Sequence, residues 1–150
     1  MKSLTELLTQ KKLTLASCES LTGGLFAAVF TETAGIGRIF KGSLVVYSNK
    51  VKIKLAKVFP STLEKYGAIS AECAKEMAQN TQQLLGTDLA ISFTGNAGPT
   101  AQENKPVGLV YIGLAIKGNL ISKEYQFSGS REEVRRKTVE AGINLIKDNL

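Results

Sequence analysis

A serine that follows a strand and precedes a helix can attack an acyl carbon when a base takes its proton and backbone N–H groups hold the oxyanion that forms. Residues 19–24, Glu-Ser-Leu-Thr-Gly-Gly, present such a serine at Ser20. Thr22, Gly23 and Gly24 complete the turn as candidate substrate contacts, because glycine lets a ligand approach the backbone closely and a helix start offers free N–H groups. A plainer reading also fits: Ser20 or Thr22 caps the helix and the glycines allow tight packing against a sheet. The segment does not match the phosphate loop G-x-x-x-x-G-K-[ST]. The chain has no histidine, so the base must be Lys, Tyr, Asp or Glu. A serine–lysine pair works when the lysine is partly desolvated or stands near other positive charge. Lys52 is the candidate, about one helical turn beyond Tyr47-Ser48-Asn49, with Tyr47 assisting. Lys50, Lys54 and Lys57 nearby equally suit a solvated lysine face, and Tyr47 equally suits a core aromatic at a strand end.

Two further turns carry polar groups. Thr94-Gly95-Asn96-Ala97-Gly98-Pro99 offers the Thr94 hydroxyl and the Gly95 backbone to a substrate, or is an ordinary turn. Arg131 sits in the first turn of a predicted helix, where a cation opposes the helix dipole. It reads as an anion ligand, or as the partner of a carboxylate such as Glu132. Most of these turns follow predicted strands. In open α/β sheets ligands bind beyond the carboxyl ends of the strands, which would bring the turns together.

The elements that must position them can be read in order. Ser3 and Glu6 signal the start of a short first helix, and Leu13 to Ser17 reads as a strand. A helix opens after Gly24, and Ile39 to Tyr47 reads as a second strand. Asn49 would cap a helix that Pro60 ends, and a longer helix runs from Ser70 to Gly86. Leu89 to Phe93 reads as a third strand, followed by a long polar loop to Pro106. Val107 to Ile116 and Leu120 to Phe127 pair around Lys117-Gly118-Asn119, and Ser130 with Glu133 opens the last helix. This order predicts one α/β domain over residues 1–150: a three-layer sandwich whose mixed, mostly parallel sheet is flanked by helices and carries a C-terminal antiparallel hairpin.

Composition narrows the classes. The chain has 150 residues, 43% hydrophobic and 21% charged, which suits one packed core rather than disorder. Nineteen basic against thirteen acidic residues give +6. That bias suits an anionic ligand, nucleic acid or a solvated lysine surface alike. Neither a basic helix with base-reading spacing nor an aromatic stacking platform is evident, so nucleic acid ranks last among partners. Cys18 and Cys73 form no C-x-x-C pair, and without histidine no metal site is expected. With no signal-peptide pattern and no apolar run near twenty residues, a cytoplasmic protein without a membrane contact is expected, its thiols reduced.

The motifs together resemble the CinA C-terminal domain family over nearly the whole chain. They are Glu19 to Gly24, Val46-Tyr47-Ser48-Asn49 followed by Lys52, Gly67-Ala68-Ile69-Ser70, Thr94 to Pro99, Lys105-Pro106-Val107-Gly108, and Phe127 to Arg131. The resemblance implies a nicotinamide-nucleotide amidase, which hydrolyses the carboxamide of nicotinamide mononucleotide to the acid and ammonia without cofactor or metal. It places the nucleophile on Ser20, the basic partners on Lys52 and Tyr47, and phosphate recognition on Arg131, with Thr94 at the second glycine-bearing turn. A small-molecule nucleotide substrate and a homo-oligomer are expected. Where the family usually has Cys, Gly-Ser-Ser and Ile, this chain has Leu21, Gly35-Ile36-Gly37 and Asn96, and Thr100-Ala101 replaces further glycines. A nucleotide-binding module without turnover and a competence- or damage-related accessory protein are the alternative readings.

Overall fold

The computed structural model describes every residue except Lys2. Ser3 and Glu6 form the expected reciprocal cap at the start of α1 (Leu4–Lys11), and β1 (Leu15–Glu19) follows, buried throughout. Then come α2 (Leu25–Phe30), β2 (Phe40–Val45), α3 (Asn49–Lys54), α4 (Pro60–Tyr66), α5 (Ala71–Leu85), β3 (Leu89–Gly95), β4 (Leu109–Ile116), β5 (Asn119–Gln126) and α6 (Arg131–Asn149). Two details depart from the sequence reading. Pro60 does not end a helix but begins α4, since its missing N–H is no loss at a first helical position. Ser48, not Asn49, caps α3, its hydroxyl accepting the Val51 N–H at 3.2 Å.

The strand order is β2-β1-β3-β4-β5. β1 pairs in parallel with β2 and β3, while β3 with β4 and β4 with β5 are antiparallel. Four strands therefore point one way and β4 runs against them, the mixed sheet that the sequence predicts. Lys117 and Gly118 both take positive φ between β4 and β5, as a two-residue turn must to match the strand twist.

Helices cover both faces, and alternation along the strands divides the core between them. Phe26, Ile91, Phe93, Ile112, Val134 and Ile146 pack on the α2 and α6 side, whereas Cys18, Val46, Val58, Cys73 and Met77 pack under α5. Gly113 lets α5 settle on the sheet: a Cβ there would stand 2.3 Å from the Ala74 carbonyl oxygen. The chain leaves β1 for β2 on one side and reaches β3 on the other, so the order reverses beside β1. At that reversal the carboxyl ends of β1, β2 and β3 lie side by side, with Ser20, Tyr47 and Thr94 just beyond or at them.

Candidate active site

Ser20 is fixed at the end of β1 by its own backbone. Its N–H donates to the Phe93 carbonyl at 2.9 Å, and its carbonyl accepts the Gly23 N–H at 3.0 Å, closing a tight turn. Gly23 and Gly24 both adopt positive φ, which a Cβ would strain. Because Gly24 has no side chain to cap α2, the cap comes from Glu19. Its fully buried carboxylate accepts the N–H groups of Phe26 and Ala27 at 2.9 and 3.1 Å and the Ser43 hydroxyl at 3.0 Å. The serine is thus set between a strand end and a helix start that one carboxylate ties together.

Lys52 comes to Ser20 from α3. Its ammonium nitrogen lies 3.0 Å from Ser20 Oγ, and its side chain is only 3% exposed. Lys50, Lys54 and Lys57 are exposed, so one lysine of the cluster turns inward while the others stay solvated. Burial pushes the Lys52 pKa below the ordinary lysine value, because the charged form loses its water. Cys73, Cys18 and Glu103 oppose that shift. The two thiols are themselves pushed up to about 12 by burial and are neutral at pH 7, which leaves Glu103 as the anion Lys52 senses. A serine hydroxyl bonded to an amine that loses its proton easily is an arrangement for nucleophilic attack.

Tyr47 and Arg131 meet at the rim. Arg131 Nη2 donates to the Tyr47 hydroxyl at 2.6 Å and Nη1 to the Gly98 carbonyl at 2.6 Å. Tyr47 shares the cavity with Ser20 and Lys52, but its hydroxyl is bonded to Arg131, and its ring is 59% exposed. Glu132 pairs with Arg136 and leaves Arg131 to the site.

The cavity encloses about 420 Å³ between these groups, with Thr94, Gly95 and Asn96 along one wall. The buried Thr94 hydroxyl donates to the Ala68 carbonyl at 2.7 Å and holds the 67–70 turn against β3. Gly95 is required by space, since a Cβ would meet the Leu109 carbonyl at 2.7 Å. Thr22, Gly23 and Gly24 do not line this cavity. Thr22 is fully buried, Gly23 gives its N–H to Ser20, and Gly24 faces Val45, so their role here is to shape the turn.

Glu103, on the long polar loop, had no sequence signal. Its carboxylate accepts the N–H groups of Ala68 and Ile69 at 2.9 and 3.0 Å, and Lys105 bridges it to the Tyr66 and Ile69 carbonyls. Partial burial raises its pKa, but the Ile69 and Ala68 N–H groups and Lys105 outweigh that and hold it below the ordinary carboxylate value. The loop thereby forms an anchored wall. Among the described residues no group of three or more His, Cys, Asp or Glu could hold a metal ion, and no helix is long and apolar enough to cross a membrane.

Residues 1–150 match the sequence profile of the CinA C-terminal domain. The chain is 44% identical over 146 residues to a CinA-like protein of Dictyoglomus thermophilum, covering 97% of this chain and 36% of that protein. It is 50% identical over 139 residues to a competence-damage inducible protein of Bacillus cytotoxicus, covering 92% and 34%. The chain therefore spans about a third of the length of these curated relatives. A CinA superfamily crystal structure from Escherichia coli superposes with a TM-score of 0.93 at 29% identity, over 98% of this chain and 88% of that one. The competence/damage inducible protein CihA of Agrobacterium tumefaciens gives 0.93 at 31% identity, over 97% and 90%.

Proposed function

The chain belongs to the CinA C-terminal domain family, and on that premise we propose that it is an amide hydrolase acting on nicotinamide mononucleotide, with Ser20 as nucleophile and Lys52 as base. The observation that carries the reading is the 3.0 Å contact between Ser20 Oγ and a buried Lys52 at the floor of a cavity rimmed by Arg131. Neutral Lys52 takes the Ser20 proton as Oγ bonds to the carboxamide carbon, and the carbonyl electron pair moves onto oxygen. The C–N bond then breaks. The leaving nitrogen takes the proton back from Lys52 and departs as ammonia. Water attacks the acyl ester, gives a proton to Lys52, and releases the acid while Ser20 regains its hydrogen.

Arg131 suits the substrate phosphate. A guanidinium carries five N–H donors, and the bonds to Tyr47 and Gly98 leave others for the phosphate oxygens. Tyr47 acts in this scheme by holding Arg131 at the rim and not as the direct partner of Lys52. Thr94 and Gly95 keep the opposite wall in place. No metal or cofactor takes part in the scheme. The reaction serves pyridine-nucleotide salvage in the cytoplasm, and a homo-oligomer is supported by the open edge of β2, where Val45 is exposed.

The test is ammonia release by purified protein offered nicotinamide, its riboside and its mononucleotide. The mononucleotide should be the preferred substrate. Tight calorimetric binding of it with no ammonia released would make the protein a binding module instead.

A further inference from the structure

One arginine holds the peptide groups on the carbonyl side of Leu21 and Thr22. Arg135 Nε donates to the Leu21 carbonyl at 3.1 Å and Nη2 to the Thr22 carbonyl at 2.8 Å. In a planar trans peptide the C=O and the following N–H point in opposite directions. Fixing the Leu21 carbonyl on Arg135 therefore aims the Thr22 N–H away from α6. The Ser20 carbonyl is likewise occupied inside the turn by the Gly23 N–H, which aims the Leu21 N–H outward.

Neither of these two N–H groups has an acceptor among the described residues, although Leu21 is 3% exposed and Thr22 fully buried. Buried backbone donors without a partner are rare, because each forfeits a hydrogen bond that water would supply. Here two occur in succession. They directly follow a serine bonded to a buried lysine, and Ser20 and Leu21 both line the cavity. The Gly23 N–H, by contrast, is consumed within the turn.

We propose that the backbone N–H group of Leu21, a residue that lines the cavity beside Ser20, is the oxyanion donor, and that Arg135 is the positioning residue that holds the turn just after it. The inference rests on the acyl-transfer reading of the same site. As Ser20 Oγ bonds to the carboxamide carbon and its proton passes to Lys52, the carbonyl oxygen gains a full negative charge, and the Leu21 N–H donates to it. It has no other bond to break, so no reorganisation is needed when the charge appears. Arg135 acts from the next peptide: by holding the Leu21 carbonyl it fixes the residue that carries the donor.

The experiment replaces Leu21 by its α-hydroxy acid analogue, which converts the Ser20–Leu21 peptide to an ester and deletes only the Leu21 N–H. Two rates are followed: ammonia release from nicotinamide mononucleotide, and labelling of Ser20 by a fluorophosphonate, whose phosphoryl oxygen would occupy the same hole. The ester variant should lose about 10²–10³-fold in kcat with KM little changed, and labelling should slow in parallel. Arg135→Met should lower kcat about tenfold at unchanged KM, and Arg135→Lys, which keeps one donor, should recover part of that loss.

If the wild type labels at Ser20 but hydrolyses no pyridine nucleotide, the substrate reading fails, and slow labelling of the ester variant still supports the hole. A folded ester variant within twofold of wild type in labelling rate overturns the hole whatever the substrate. An Arg135→Met protein unchanged in both rates overturns the role of Arg135. A wild type that neither hydrolyses nor labels overturns the inference together with the reading beneath it.

Discussion

Lys52 Nζ lies 3.0 Å from Ser20 Oγ across 32 residues of chain, and both side chains are withdrawn from solvent. Burial alone disfavours a lysine, and a solvent-facing partner would serve a surface residue equally well. What places Lys52 inside is α3, whose cap at Ser48 and short length direct residue 52 under the end of β1. The burial that penalises the ammonium also lowers its pKa, which is what the proposed role as base requires.

The pH profile should report Lys52. A general base acts unprotonated, so kcat/KM should rise with pH through the Lys52 pKa, and the midpoint should lie below the ordinary lysine value of 10.5 because burial lowers it. Steady-state rates across pH measure this, and a limb centred near 10.5 would contradict it.

Stability should carry the same signature with a determined sign. Folded Lys52 has the lower pKa, so between that value and 10.5 the unfolded chain binds more protons and stability rises with pH. At lower pH the folded state bears the full cost of a buried charge. Lys52→Met should therefore flatten the rise and gain most over the wild type at acidic pH, as read by thermal melts across pH.

Glu103→Gln tests the anchored loop. The variant loses the charge that favours protonated Lys52, so the rising limb of the rate profile should move to lower pH. It also weakens the bonds to the Ala68 and Ile69 N–H groups, which should cost about 1 kcal/mol of stability for a partly exposed carboxylate. Chemical denaturation and the pH profile read the two effects separately.

Arg131→Ala should separate phosphate from carboxamide recognition. Charge-assisted hydrogen bonds are worth about 1.5–3 kcal/mol each, so KM for the mononucleotide should rise roughly 10–100-fold. The riboside, which lacks the phosphate, should be hydrolysed as before. Equal losses on both substrates would assign Arg131 to shaping the rim through Tyr47 and Gly98.

Much of this fold is legible because its signals are local. The reciprocal caps at Ser3 with Glu6 and at Ser130 with Glu133 each lie within four residues, and Lys117-Gly118 marks its own turn. Pro60 is ambiguous locally, since proline both stops a helix and starts one, and only the structure resolves it in favour of α4. The site divides in the same way. Ser20 and Lys52 could be named because the absence of histidine left few bases. The Glu19 cap depends on Ser43 from the neighbouring strand, and the bond between Tyr47 and Arg131 spans 84 residues. Arg135 reaches Leu21 across 114. None of those pairings has a spacing that a sequence pattern can show.

In the proposed reaction Ser20 is the nucleophile and Lys52 its base. The most direct measurement is rapid-quench mass spectrometry of the protein mixed with nicotinamide mononucleotide, run beside ammonia release. The wild type should form a transient acyl adduct on Ser20, Ser20→Ala and Lys52→Met should form none, and both variants should lose about 10³-fold or more in turnover. Ammonia release at the wild-type rate by folded Ser20→Ala would contradict it.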